Sequence, residues 1–220
     1  GTRLLVDSIK NKNIPFIYLS SIGVFDFSNS NQINENSHKE QLNIYEKTKF
    51  LSEEYILKSH QENNLKFVIL RPSIILDINM KSKIIDYIIT LSRIGIKIKF
   101  SKKIIANFIL LDDVVKKILE ISEKEKALCQ SFNISSNILL ENFMLTINKI
   151  LDKKIFISLP FNLFIIIISL SLFFKPKNQK IKRFFTNTCK ISCQKIEGLL
   201  GEKVHLDYFN FLDNYIKNRK

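Results

Sequence analysis

Two short apolar runs, separated by a helical pattern and by no hairpin turn, constrain the fold of this chain most. Residues 14–19 and 65–70 each have the length and composition of a buried strand, and the segment from Tyr45 to about Glu62 has the pattern of a helix. Strands that alternate with helices pair in parallel through right-handed crossovers. The sequence therefore predicts an α/β fold built on a parallel sheet.

The helices and strands of the first part of the chain follow this order, and the pattern changes beyond the short apolar run at residues 74–76. A helix is predicted before the first strand, over residues 2–10, and a polar loop rich in Asn and Ser spans residues 26–43. The helix from Tyr45 should bury Phe50, Leu51, Tyr55 and Ile56. Further segments are predicted as strands at 96–105, 107–111 and 130–135, and as helices at 84–94, 114–122 and 140–151. Asp113 is expected to be structural, either tying a turn or capping the helix that begins at Val114.

The most informative polar residues are Tyr45 and Lys49, which lie four positions apart on a predicted helix and so share a face. An ammonium group beside a phenol favours the phenolate, which lowers a pKa that is ordinarily about 10. Ser20 and Ser21 end the first strand, at the edge where open α/β sheets bind ligands. Together these residues would form a proton-transfer site for an alcohol or a ketone. An ordinary helix with a buried tyrosine and an exposed lysine fits the same spacing.

The composition is that of an ordinary globular protein with a strong positive charge. The 220 residues carry a formal net charge of +13, mostly from lysine, which raises nucleic acid or an anionic membrane as a partner. Because arginines are few and the lysines are spread along the chain, we expect no binding to nucleic acid. Cys129, Cys189 and Cys193 show no metal-ligand spacing, and we expect reduced thiols in a cytoplasmic protein without a metal.

Five segments match a known family in order and in separation. They are a strand ending in the serine pair (17–25), the Tyr-x-x-x-Lys motif (45–49), a second strand with Arg-Pro (68–75), a segment ending in aspartate (108–115) and a late strand (132–134). The chain thus resembles the extended short-chain dehydrogenase/reductase family, which contains the nucleotide-sugar epimerases and dehydratases. The resemblance covers most of residues 1–150 and, more loosely, residues 194–201.

The resemblance implies a Rossmann-like, doubly wound parallel sheet that lacks its N-terminal part, with a smaller, mainly helical C-terminal substrate lobe. Residues 1–76 would be the C-terminal half of the dinucleotide-binding domain. Residues 77–220 would be the substrate lobe, from which 107–135 would return to the sheet.

The resemblance also implies NAD or NADP as the cofactor and a nucleotide sugar as the substrate, which would be epimerised or dehydrated. Tyr45 would be the acid/base, Lys49 would hold the nicotinamide ribose, and Ser21 would bind the reacting oxygen. Cofactor contacts would come from Ser20, Tyr45, Lys49, Pro72 and Ser73. Two rival functions remain open: a carbonyl- or hydroxysteroid-type oxidoreductase of the same superfamily, and a noncatalytic membrane-associated remnant. A homodimer is also left open.

The chain departs from the family pattern in its glycines. None of its five glycines forms the Gly-rich loop that receives the cofactor pyrophosphate. The sequence resembles the C-terminal part of a longer protein, so we expect this segment alone to be inactive. Phe25-Asp26 and Leu76-Asp77 stand where the family usually has Tyr-Gly, which leaves the substrate open.

Residues 155–174 are the most apolar part of the chain, and they are flanked by Lys153, Lys154, Lys175 and Lys177. About 20 apolar residues would span a bilayer, but Pro160 and Asn162 interrupt this run. The sequence favours a helix in the core or against a partner. Peripheral contact of 155–174 with a membrane, helped by the basic segment 175–195, and a true membrane span are the alternatives.

Overall fold

The computed structural model describes residues 1–28, 31–152, 156–174 and 179–218. The lysines predicted to flank the apolar run (Lys153, Lys154, Lys175, Lys177) and Ile155 at its start lie outside these residues.

As far as residue 174, the helices of the described residues are separated by one or two strands, so the order is not a strict alternation. The helices are α1 (Thr2–Ile9), α2 (Ile44–Asn63), α3 (Lys83–Arg93), α4 (Leu111–Ser122), α5 (Leu140–Ile150), α6 (Phe161–Phe174), α7 (Gln179–Thr186), α8 (Gln194–Leu200) and α9 (Tyr208–Lys217). The strands are β1 (Phe16–Leu19), β2 (Gln32–Ile33), β3 (Phe67–Pro72), β4 (Ile74–Leu76), β5 (Ile96–Lys99), β6 (Ile105–Leu110), β7 (Gln130–Ile134), β8 (Ser136–Leu139), β9 (Ile157–Pro160) and β10 (Lys190–Ile191). Short 3₁₀ helices lie at Ile22–Val24 and Glu125–Ala127.

The predicted parallel sheet is present as β1-β3-β7, with β3 in the centre. Leu19 pairs with Leu70, and Leu70 pairs with Phe132, both in parallel register. The chain also forms a three-stranded sheet in the order β4-β6-β8 and two parallel ribbons, β2-β10 and β5-β9. The predicted α/β fold with a parallel sheet is confirmed.

Both faces of the β1-β3-β7 sheet are covered, because alternate residues of β3 enter different cores. Phe67 and Ile69 pack with Val6 of α1 and Ile56 of α2. Val68 and Leu70 enter a larger cluster that includes residues of α4 and α8. A central strand buried on both faces is usually apolar on both, and β3 is buried at every position, including Arg71. This two-sided covering makes the sheet doubly wound.

The chain divides into two compact units. The first contains residues 1–75, 107–136 and 189–206, and the second contains 76–106, 137–188 and 207–220. That the first unit holds a cofactor and the second a substrate remains a prediction.

The second unit is mainly helical, and a buried tyrosine joins two of its helices. Tyr215 on α9 is fully buried, and its hydroxyl group donates a hydrogen bond to Asp86 Oδ1 over 2.9 Å. The hydroxyl oxygen of Tyr215 also accepts a hydrogen bond, over 3.1 Å, from the backbone N–H of Ser82, the N-cap residue of α3. These bonds fix the start of α3 against α9.

The prediction that Asp113 caps a helix starting at Val114 is wrong. α4 begins at Leu111, directly after β6, and Leu110 is its N-cap residue. Asp112 and Asp113 instead lie in the first turn, where a carboxylate interacts favourably with the helix dipole. Burial raises the pKa of Asp113 above its ordinary value.

The predicted buried stripe of α2 is partly wrong. Ile56 is fully buried and Phe50 and Tyr55 are half-buried, but Leu51 is 54% exposed. The helix buries Glu53 in place of Leu51, because Glu53 has a charged partner in the sheet.

The predicted apolar run is divided into a strand and a helix. β9 ends at Pro160, and the 14-residue α6 starts at Phe161. Within the part of the chain that the structure describes, no helix has the length and apolar character needed to cross a membrane.

The three cysteines provide a test of the first unit's packing. Cys129 is exposed, whereas Cys189 and Cys193 are buried, and burial raises the pKa of the Cys193 thiol to about 12. Because the thiolate is the reactive form, we expect one cysteine to react quickly with a thiol reagent in the native protein, and all three after unfolding. Cys129→Ser should remove the fast reaction. Fast labelling of the native Cys129→Ser variant would contradict the packing described here.

Candidate active site

The position of Tyr45 is set by the cap of α2. The side chain of Asn43 accepts a hydrogen bond from the backbone N–H of Glu46 over 3.0 Å, as an N-cap asparagine does. The helix therefore starts at Ile44, with Tyr45 in its first turn and Lys49 one turn later. Asn64, in the left-handed conformation with φ 54°, ends the helix.

Lys49 joins α2 to the carboxyl end of β1. Its Nζ donates a hydrogen bond to the carbonyl oxygen of Leu19 over 2.7 Å. The same Nζ lies 5.1 Å from the ring centroid of Tyr18 and 5.9 Å from that of Tyr45. An ammonium group near an aromatic face is attracted by the electrons of the ring. The charge of Lys49 is thus held beside the Tyr45 side chain at the edge of the sheet.

The exposure of these two residues distinguishes the two interpretations of their spacing. An ordinary amphipathic helix would bury the tyrosine and expose the lysine. Tyr45 is 55% exposed, whereas Lys49 is half-buried and bonded to the backbone. This burial is the reverse of what the ordinary-helix alternative predicts, and the functional role of the two residues stays a prediction.

Ser20 and Ser21 lie next to this lysine. The backbone N–H of Ser20 donates to the carbonyl of Leu70 over 2.7 Å, which continues the pairing of β1 with β3. Ser21 caps the 3₁₀ helix Ile22–Val24, and its Oγ accepts from the N–H of Gly23 over 3.1 Å. The hydroxyl hydrogen of Ser21 is not used in that bond and can be donated elsewhere.

Gly23 brings the 3₁₀ helix against the first turn of α2. A Cβ atom at position 23 would lie 3.0 Å from Cγ of Glu46, so a larger residue would push the two segments apart. Glu46 is itself held, because its carboxylate accepts from the backbone N–H of Leu42 over 2.8 Å. The segment that begins at Ser21 therefore packs beside the turn that carries Tyr45.

Pro72 and Ser73 lie at the carboxyl end of the neighbouring strand. Pro72 is the last residue of β3, and the backbone N–H of Ser73 donates to Ile134 over 2.9 Å. The Oγ of Ser73 is buried and has no hydrogen-bond partner among the described residues. Since Leu19 and Leu70 are paired, the ends of β1 and β3 lie side by side. The structure thus gathers the predicted site residues at one edge of the sheet.

A buried charge pair, which the sequence prediction missed, lies behind this edge. Arg71 of β3 donates to Glu53 of α2 through two nitrogens, over 2.7 Å from Nε and 2.9 Å from Nη2. Lys39, from the loop before α2, donates to the same carboxylate over 3.0 Å. Two features of the sequence could have revealed this pair. Arg71 is a charged residue at the end of an apolar strand, and Glu53 lies four positions after Lys49 on the same helix face.

The charge pair fixes the helix that carries Tyr45 and Lys49 against the central strand. Burial alone would raise the pKa of Glu53, but the hydrogen bonds and charge of Arg71, with the charge of Lys39, outweigh burial and lower this pKa below its ordinary value. The carboxylate is therefore ionised in the folded protein at neutral pH. A bidentate pair of this kind sets both the distance and the orientation of the two elements.

We expect Glu53→Gln to lower the free energy of unfolding by about 3–5 kcal/mol, because it leaves Arg71 buried without its charge partner. Glu54→Gln, at the exposed neighbouring position, is the matched control and should change stability by less than about 0.5 kcal/mol. Urea unfolding of both variants measures the difference. Equal stability of the two variants would contradict a structural role for the pair.

The stabilisation by Glu53 should also depend on pH. Its pKa is lower in the folded protein than the 4.5 of an unperturbed glutamate, so the unfolded state binds more protons in acid. The stability gap between wild type and Glu53→Gln should be complete above pH 4.5 and shrink as the pH falls below it. A gap that grows in acid would contradict this sign.

Residues 3–119 match the sequence profile of an NAD-binding family described as male sterility protein. The matched segment is more than half of the 220 residues. The chain belongs to this family. No curated protein sequence matches the chain.

Solved structures similar to this male sterility family member share its fold. The UDP-glucuronic acid 4-epimerase of Bacillus cereus, in complex with NAD, has a TM-score of 0.73 and 17% identity over 99% of this chain and 66% of its own. The terminal R domain of the myxalamid PKS-NRPS pathway has a TM-score of 0.75 and 14% identity over 99% of this chain and 60% of its own. The UDP-glucose 4-epimerase of Thermotoga maritima has a TM-score of 0.69 and 16% identity over 99% and 68%. The chain therefore spans less than two thirds of the first two structures.

The edge residues fit one half of the cofactor that this family binds. An exposed phenol, an ammonium group and the buried, unpartnered Oγ of Ser73 are suitable partners for a nicotinamide and its ribose. A pyrophosphate needs a Gly-rich loop at the start of a helix. Gly23, the glycine beside the candidate site, cannot form such a loop, because the Glu46 carboxylate lies against it and would repel a phosphate. Among the described residues, those at the sheet edge suit the nicotinamide half, and Gly23 forms no cradle for the phosphates.

Proposed function

We propose that the full gene product carries out NAD- or NADP-dependent hydride transfer at a carbon that bears a hydroxyl or carbonyl group. The observation that carries the proposal is the Lys49 ammonium, bonded to the Leu19 carbonyl at the end of β1 with the Tyr45 ring beside it. A phenol and a fixed positive charge at the sheet edge where α/β folds bind ligands support a role in proton transfer.

Tyr45 would be the acid/base, since its side chain is exposed at this edge. The cofactor, when bound, supplies or accepts the hydride. As the Tyr45 hydroxyl gives up its proton to a substrate oxygen, the nearby charge of Lys49 stabilises the negative charge that develops on the phenol. Ser21 would donate its hydroxyl hydrogen to the same substrate oxygen and so hold it in place.

The roles of the remaining predicted residues follow from their places. Ser20, Pro72 and Ser73 lie at the ends of β1 and β3 and would line the nicotinamide position, with Lys49 reaching the ribose. We assign the cofactor to the first unit and the substrate to the second, following the division of the chain.

A nucleotide sugar is the first candidate substrate, epimerised or dehydrated. Two of the similar structures are UDP-sugar 4-epimerases, and each is aligned over almost the whole of this chain. A carbonyl compound is the second candidate, reduced without epimerisation. It is supported by the family match and by the similar terminal R domain.

Cofactor consumption separates the two candidates. An epimerase or dehydratase returns its cofactor to the starting oxidation state in every cycle, so NADH should not accumulate while the sugar is converted. A reductase consumes one reduced cofactor for each carbonyl. The full gene product should therefore be assayed with a panel of nucleotide sugars and a panel of carbonyl compounds, with product and cofactor followed together.

We expect Tyr45→Phe to lower turnover by about 10²–10⁴-fold, because the variant removes the proton that the phenol transfers. The exposed side chain should make the substitution neutral for folding. Tyr55→Phe is the matched control: it lies on the same helix, and its hydroxyl bonds to Asp7 over 2.6 Å, away from the sheet edge. Unchanged turnover in Tyr45→Phe would overturn the proposal, whereas no turnover by the wild type on either panel would favour a noncatalytic remnant of the fold.

A further inference from the structure

Helix α6 of the second unit has apolar residues on both its buried and its exposed sides, and Asn162 is the one exposed polar residue among positions 161–169. Phe161, Phe164 and Ile168 are buried. The opposite side exposes Leu163, Ile166 and Ile167 by 46%, 54% and 48%. A helix that contacts only its own protein usually has polar residues on the exposed side. The exposed side of α6, defined by Leu163, Ile166 and Ile167, is called the apolar face below.

Aromatic contacts fix which side of α6 is exposed. The ring of Phe161 lies 5.7 Å from that of Phe100, which follows β5. The ring of Phe164 lies 4.8 Å from that of Phe185 on α7, in an edge-to-face arrangement. Because both rings are held within the second unit, the apolar face cannot turn inward without breaking these contacts.

The positive charge of the protein is concentrated in this second unit. Its sequence contains 18 Lys and Arg residues and 6 Asp and Glu residues, which gives +12 of the chain's net +13. The first unit, with 16 basic and 15 acidic residues, is close to neutral. The unit that exposes the apolar face is therefore also the charged one.

The segments around α6 are basic and contain no acidic residue. Neither 87–106 nor 153–188 has an Asp or Glu. Lys97 and Lys99 are exposed on β5, paired with Ser158 and Pro160 of the strand that leads into α6. Helix α7 also contacts α6, and it carries Lys182 and Arg183.

We infer that the second unit binds the surface of an anionic lipid bilayer through the apolar face of α6. Its 14 residues extend about 21 Å, which is too short for a hydrocarbon core of about 30 Å. The helix would lie in the plane of the interface, with Leu163, Ile166 and Ile167 toward the acyl chains. The surrounding lysines would contact the anionic headgroups, as in other interfacial helices.

The charge pattern favours lipid over the other occupants of such a face. A second copy of this chain would bring two units of net charge +12 together, and this repulsion opposes a dimer through the face. Nucleic acid would use the charge but would leave the apolar side chains exposed. An anionic bilayer uses both features.

The test is sedimentation of the full gene product with vesicles of phosphatidylcholine alone or mixed with phosphatidylserine. Binding should require phosphatidylserine and weaken as salt rises. Two variants should each lower the partition coefficient at least about tenfold. One is the triple variant Leu163→Gln/Ile166→Gln/Ile167→Gln, and the other is the double variant Lys97→Gln/Lys99→Gln. Thermal unfolding monitors the fold of each variant.

The matched control is Val115→Gln/Leu119→Gln, which removes exposed apolar residues from α4 of the first unit. This variant should bind vesicles like wild type. Equal binding to both vesicle types, or wild-type binding by the folded α6 variant, would overturn the inference. A dimer in sedimentation equilibrium would also overturn the inference if the α6 substitutions dissociated this dimer but left vesicle binding unchanged.

Discussion

The buried pair of Glu53 and Arg71 is the interaction on which the arrangement of the first unit depends. It joins the middle of α2 to the central strand β3 with two hydrogen bonds, and both side chains are almost completely buried. Such a pair costs free energy to desolvate, and it repays that cost only while its geometry is maintained. The position of α2 along the strand is therefore strongly specified. Lys39 also donates a hydrogen bond to the Glu53 carboxylate, which connects the loop before α2 to this pair.

The candidate active site follows from this fixed position. With α2 held at Glu53, Lys49 lies one turn closer to the sheet edge and reaches the last carbonyl of β1. Tyr45 lies one turn further and emerges into solvent. Tyr45, Lys49 and Glu53 thus follow one another at four-residue intervals on one helix face. Tyr45 is exposed, Lys49 contacts the sheet edge, and Glu53 is buried against the central strand. The side chains of the candidate site are thus positioned by packing that occurs about two helical turns away.

Much of this organisation could be predicted from the sequence, because it depends on local patterns. The apolar run of β3 and the Tyr45–Lys49 spacing predict a strand, a helix and a shared face without knowledge of any distant contact. The errors occur where a distant partner decides the outcome. Leu51 was expected to be buried from its hydrophobicity, but the burial of Glu53 depends on Arg71, which is 18 positions away. The hydrogen bond from Lys49 to Leu19 joins residues 30 positions apart and has no local signal.

The central claim is that the edge formed by β1 and β3 is where the nicotinamide of NAD or NADP reacts beside Tyr45. A crystal structure of the full gene product with bound cofactor tests this most directly. The account predicts a ribose hydroxyl within about 2.7–3.2 Å of Lys49 Nζ, with the nicotinamide near Ser73. A nicotinamide bound elsewhere, with Lys49 contacting only Leu19, would contradict it.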